Sequence, residues 1–212
     1  MLKGPNLNPY DGEKPKQLVL LLHGYGSSGD DLIELGRLWA PLLPHAEFIA
    51  FHAPEVCKIN SFGYQWFSLA EFTPKEVRDG LDKIGPVLHR DILMLLEKKN
   101  LNPENLAIVG FSQGSMLALE MMFLLPNLCC ILSYSGAFYP SFNLKKVVSA
   151  PHVFLLHGDQ DEVVPYTALQ ETSDQLSSLG VPVRTHTCLG LGHSIDHEGL
   201  VLGGRFLQES FS

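Results

Sequence analysis

Long basic runs are missing from this sequence. In 212 residues with a net charge of −8, no run of Lys or Arg exceeds two, at Lys98-Lys99 and Lys145-Lys146. That balance argues against a nucleic-acid partner held by its phosphates, and against an anionic bilayer held by charge. No apolar stretch approaches the ~18 residues a spanning helix needs, so stable membrane insertion is not expected. The opening M-L-K-G-P-N-L-N-P-Y-D-G has no apolar core of the secretory type. Cysteine is scarce, and Cys57, Cys129, Cys130 and Cys188 form no C-x-x-C pair. Reduced, mostly structural thiols in a cytoplasmic setting are the expectation. Repeats, low-complexity tracts and an interdomain linker are also missing. With 45% hydrophobic and 18% charged residues, the chain reads as one globular domain over residues 1–212.

What is there alternates. Short apolar runs at 17–22, 47–51, 106–110, 130–134, 152–156 and 183–187 read as strands. Helical periods fill 30–43, a segment from a cap at Thr73 toward residue 99, 113–125, 165–179 and 196–208. Gly85-Pro86 is expected to kink or split the second of these helices. Thr73-Pro74-Lys75-Glu76 reads as a capping box with proline at the first helical position. The order predicts an α/β fold with a mainly parallel sheet covered by helices on both faces. The short lead before Gln17 leaves little room for further strands. Residues 53–72 fit neither period and carry Phe62, Tyr64, Trp66, Phe67 and Phe72. They read as a long surface excursion that forms an apolar acyl groove, packs on the core or meets another subunit.

Gly110-Phe111-Ser112-Gln113-Gly114 lies where a strand hands over to a helix and matches G-x-S-x-G, the nucleophile elbow. The turn is so tight that side chains at the two glycines would strike neighbouring backbone. A serine hydroxyl is a weak nucleophile and needs a base oriented by a third group. Among nine histidines, His193 in G-L-G-H follows the last predicted strand. His197 is its rival, and His23 and His157 are expected to make structural hydrogen bonds. The acid belongs on a loop between serine and histidine. H-G-D-Q-D-E-V-V-P offers Asp159 and Asp161, and spacing does not choose between them. The turn His23-Gly24-Tyr25-Gly26 after the first strand would supply one oxyanion amide, from Tyr25, and Gln113 the other. A zinc site at His193, Asp196 and His197 lacks the Glu of H-E-x-x-H and leaves the serine elbow unexplained.

Together, L-L-H-G-Y-G at 21–26, G-F-S-Q-G at 110–114, H-G-D-Q-D-E-V-V-P at 157–165 and G-L-G-H at 190–193 resemble the carboxylesterase/phospholipase family of α/β-hydrolases. That family includes the acyl-protein thioesterases, and the resemblance spans nearly the whole chain. It implies a compact α/β-hydrolase fold without a separate cap domain. It implies Ser112, Asp161 and His193 as the triad, settling the acid on the second aspartate, with Tyr25 and Gln113 as oxyanion donors. The implied activity is hydrolysis of small esters, thioesters or lysophospholipids with small to medium acyl chains, without cofactor or metal. Phe62, Tyr64, Trp66 and Phe67 are candidate substrate contacts. Ser115 stands where many relatives have glycine, and Ser68 replaces the acid of the family's W-[FY]-D stretch. A ligand-binding protein on the same fold, without turnover, is the alternative.

Overall fold

The computed structural model describes residues 1–141, 147–148 and 150–212, and Lys145 and Lys146 fall outside them. In chain order its elements are β1 (Asn6–Leu7), β2 (Gln17–Leu22), α1 (Gly29–Trp39), β3 (Ala46–Phe51), β4 (Glu55–Val56), β5 (Tyr64–Gln65) and α2 (Pro74–Lys99). Then come β6 (Leu106–Phe111), α3 (Gln113–Glu120), β7 (Cys130–Tyr134), β8 (His152–Gly158), α4 (Thr167–Ser178), β9 (Val183–Cys188) and α5 (His197–Ser210). The main sheet runs β1-β3-β2-β6-β7-β8-β9. Its pairings are parallel except β1 against β3.

Burial on both faces explains why the strands read as unbroken apolar runs. In β2, Leu18, Leu20 and Leu22 belong to the core on the face covered by α2, α3 and α4, whereas Val19 and Leu21 belong to the core on the face covered by α1 and α5. Strand β6 divides the same way, Leu106 and Ile108 against Ala107 and Val109. A half-buried strand would alternate with polar residues; these have no wet side. Parallel register also brings the carboxyl ends together, with Leu22 opposite Gly110 and Gly110 opposite Ser133. Such an edge is where open α/β sheets hold ligands.

Four elements differ from expectation. Helix α2 runs unbroken for 26 residues with Pro86 inside it. Proline removes one backbone hydrogen bond, but Val77, Leu81, Ile84, Leu88, Ile92 and Leu96 bury one continuous stripe on either side of it. That packing outweighs the local cost of ~3 kcal/mol. The lead before Gln17 does hold a strand: Asn6 and Leu7 pair with Ile49 and Phe48 of β3. Its approach is fixed by Ala50 N–H donating to the Pro5 carbonyl and His52 N–H to that of Lys3. Helix α1 stops at Trp39, and α3 stops at Glu120, followed by one 3₁₀ turn, Met121–Phe123. Among the described residues, no helix is long and apolar enough to cross a membrane.

Candidate active site

The chain leaves β6 through a strained residue. Ser112 has φ 54° and ψ −117°, a region that non-glycine residues rarely occupy and that persists only when the surroundings impose it. The two glycines let those surroundings close in. A Cβ on Gly114 would sit 1.9 Å from the Leu22 carbonyl oxygen, and one on Gly110 2.5 Å from the backbone of Ser115. The Ser112 amide donates to the Tyr134 carbonyl at 2.9 Å, anchoring the turn to β7. Ser115 adds a brace where glycine would be silent. Its hydroxyl reaches the Gly110 carbonyl at 2.7 Å and lies 3.1 Å from the Ser133 hydroxyl.

Strand ends bring the other groups to this turn. His193 Nε2 lies 2.9 Å from Ser112 Oγ, and His193 Nδ1 lies 2.7 Å from Asp161 Oδ2. An ionised carboxylate only accepts, so the imidazole proton resides on Nδ1 and Nε2 is free to accept from the hydroxyl. The second oxygen of Asp161 accepts from the Val163 and Val164 amides, both at 2.9 Å. Burial alone would raise the Asp161 carboxyl; the bonds from His193, Val164 and Val163 outweigh it and hold it below the usual range. The carboxylate is therefore ionised at neutral pH. Asp159 serves another purpose: its Oδ1 accepts the Gly190 amide at 2.6 Å, stitching its turn to the loop that carries His193.

The turn carrying Tyr25 lies against Ser112. A Cβ on Gly24 would stand 3.3 Å from that of Ser112. Gln113 opens α3, where first-turn amides have no partner within the helix. His23 lies wholly buried beneath this turn. Its Nδ1–H donates to the Gly24 carbonyl at 2.8 Å and its Nε2 accepts the Ala53 amide at 3.0 Å. Burial pushes its pKa down from 6.5 to about 4. The unfolded chain then binds more protons between those values, so stability is full above the upper one and falls as pH drops toward the lower. The loss amounts to roughly 3 kcal/mol. Urea unfolding at pH 7 and pH 4.5 should show it as a steeper loss than in a His23→Gln variant; equal losses would contradict the assignment.

The aromatic segment divides, and part of its expected role is corrected. Phe62 is 93% exposed and Tyr64 half-buried, but Trp66 and Phe67 are only 1% and 5% exposed. Trp66 packs on the His23 ring, with centroids 5.4 Å apart, and Phe67 fills the space left by Gly80 of α2. These two rings are core, not groove wall. Thr73 caps α2 as expected, its hydroxyl accepting the Glu76 amide at 3.2 Å, and the Glu76 carboxylate also gathers the amides of Ala70, Glu71 and Phe72, pinning the end of the segment to α2. Asp196 is the N-cap of α5, accepting the Gly199 amide at 2.7 Å, and His197 is the first residue of that helix.

Three pairings escaped sequence reasoning, although His157 makes the structural hydrogen bonds expected of it. The Phe111 ring lies against His193 with centroids 4.9 Å apart. His157 Nε2 stands 3.3 Å from Asp161 Oδ2 and 2.9 Å from the Val164 carbonyl. Burial keeps that imidazole below its ordinary pKa, hence a neutral donor. Its position four residues before Asp161 was the available signal. The Gln113 side chain crosses to the aromatic segment, accepting from the Trp66 amide at 2.9 Å and donating to the Phe67 carbonyl at 2.8 Å. No local pattern announces such a bond.

Known proteins resemble this chain over most of its length. The profile of the phospholipase/carboxylesterase family matches residues 10–210. The crystal structure of esterase PE8 superposes with a TM-score of 0.93 at 40% identity, over 98% of both chains. Esterase YpfH of Escherichia coli is 29% identical over 89% of this chain and 81% of its own. Acyl-protein thioesterase 1 of Candida albicans is 29% identical over 91% of each. With an α/β-hydrolase sheet, a serine elbow on its carboxyl edge and a family match across nearly its whole length, the chain belongs to the phospholipase/carboxylesterase family.

Proposed function

We propose that Ser112, His193 and Asp161 are the catalytic triad of a serine hydrolase acting on carboxylic esters or thioesters with small to medium acyl chains. The observation that carries this reading is the unbroken hydrogen-bonded sequence of hydroxyl, imidazole and carboxylate at one sheet edge, at 2.9 and 2.7 Å. His193 Nε2 takes the hydroxyl proton as Ser112 Oγ attacks the acyl carbonyl, and Asp161 stabilises the imidazolium. The amides of Tyr25 and Gln113 receive the tetrahedral oxyanion. Collapse of the intermediate breaks the bond to the alcohol or thiol, which leaves with the proton from His193. Water then attacks the acyl-enzyme with His193 again as base. The nucleophile, the base, its carboxylate partner and the oxyanion donors in these steps all come from the chain.

Tyr64 and Phe62 remain the proposed substrate contacts of the aromatic segment. The Tyr64 amide donates to the Ser27 carbonyl at 2.7 Å and its carbonyl accepts the Gly26 amide at 2.9 Å, which sets this strand beside the oxyanion turn. The substrates are small-molecule esters or acylated molecules. The four cysteines are free thiols, which favours a reducing compartment, and we assign the enzyme to the cytoplasm.

The test joins an active-site label to a substrate series. A fluorophosphonate should modify Ser112 stoichiometrically, and p-nitrophenyl esters and matching thioesters of rising chain length should be turned over with a maximum at short to medium acyl chains. Failure to label Ser112, with a small ester bound tightly and not hydrolysed, would favour a binding protein on a hydrolase fold.

A further inference from the structure

The two proposed oxyanion donors come from segments far apart in sequence, yet catalysis needs them at a fixed spacing. Trp66 links them. Its backbone N–H donates to the Gln113 side chain at 2.9 Å, and its indole N–H donates to the His23 carbonyl at 2.8 Å. His23 immediately precedes Gly24 and Tyr25, so the second bond ends next to the peptide that carries one donor. The first ends on the residue whose own amide is the other. Gln113 closes the frame by donating to the Phe67 carbonyl at 2.8 Å, and the His23 imidazole ties the same turn to the Ala53 amide at 3.0 Å. Trp66, Gln113 and His23 are each at least 99% buried, so water does not compete for these bonds.

We propose that Trp66 is a positioning residue whose two N–H groups fix the spacing between the Tyr25 and Gln113 amides. This rests on the serine-hydrolase reading above and adds a residue that touches neither substrate nor the triad. A purely packing role for the ring predicts something different. The Trp66→Phe substitution keeps an aromatic in the cavity, so packing alone would cost stability and leave catalysis intact. A positioning role predicts a catalytic loss confined to stabilisation of the oxyanion, because preorganised donors act where charge develops.

The experiment compares Trp66→Phe with the native enzyme on a short-chain p-nitrophenyl ester across pH. The expected result is a kcat lower by about 10- to 100-fold, with KM within about 2-fold and the acid limb of the pH profile in place. Phenylboronic acid is the second readout. Ser112 Oγ adds to boron, its proton passes to His193, and the resulting tetrahedral boronate presents an oxygen to the two amides. Its inhibition should weaken by a factor comparable to the loss in kcat. Gln113→Met removes the side-chain bonds and keeps the backbone amide, and should shift kcat and boronate binding in the same direction. It decides the matter if Trp66→Phe does not fold.

A folded Trp66→Phe with native kcat overturns the proposal. So does a lower kcat with undiminished boronate binding, or a displaced acid limb, which would place the defect at His193 instead. Native protein that fluorophosphonate does not label at Ser112 would instead sink the hydrolase reading itself. Labelled native protein with an unaffected Trp66→Phe variant would sink only the brace.

Discussion

Purified Ser112→Ala should turn over esters at least about 10³-fold more slowly than the native protein. The substitution deletes one oxygen and little else. The hydroxyl spends its hydrogen bond on His193 Nε2 at 2.9 Å, not on capping α3. The elbow itself is held by the Ser112 amide on the Tyr134 carbonyl and by the crowding around Gly110 and Gly114. Alanine can adopt the same turn, so the variant should fold and still bind a small ester. The residual rate would come from the oxyanion amides and binding alone, which is why the expected loss is about 4 kcal/mol of transition-state stabilisation and not the whole catalytic effect. Steady-state kinetics on folded variant decide it, and a near-native kcat would remove Ser112 as nucleophile.

The second large effect separates two aspartates that sequence spacing left equivalent. Asp161→Asn should lower kcat by roughly 10⁴-fold. An amide nitrogen would face His193 Nδ1, turning an acceptor into a donor and favouring the tautomer with the proton on Nε2, where it blocks the serine. Asn Oδ1 would still accept the Val163 and Val164 amides, so the loop should keep its shape and the loss should be chemical. Asp159→Asn keeps an oxygen for the Gly190 amide and should alter kcat by no more than about 2-fold, as surface changes away from the reacting groups do. Measured side by side, a larger loss at Asp159 would reassign the acid.

Both predictions lean on features that the sequence displayed openly. The apolar runs of β2 and β6 are long because both faces are buried, and each ends abruptly on a glycine-rich turn. Strand ends were therefore readable, and with them the sites of Ser112, Asp161 and His193. Local pattern failed where distant partners decide. Pro86 reads as a helix breaker until the buried stripe of α2 is known, and Asn6-Leu7 is too short to show a period and is ordered by the edge of β3. Trp66 and Phe67 look like Phe62 in composition. Only the positions of His23 and Gly80 send the first two inward and leave Phe62 in solvent. The Gln113 side chain was hidden for the same reason. Its proposed backbone role follows from its place after Ser112, whereas its bonds to Trp66 and Phe67 exist only in three dimensions.

The covalent intermediate offers the most direct test. Acid quench of the enzyme within the first turnover of a p-nitrophenyl ester, followed by mass analysis of the peptide containing Ser112, should find the substrate's acyl group in place of the hydroxyl hydrogen. The adduct should be missing in Ser112→Ala. Sustained hydrolysis with Ser112 unmodified at every quench time would contradict the account.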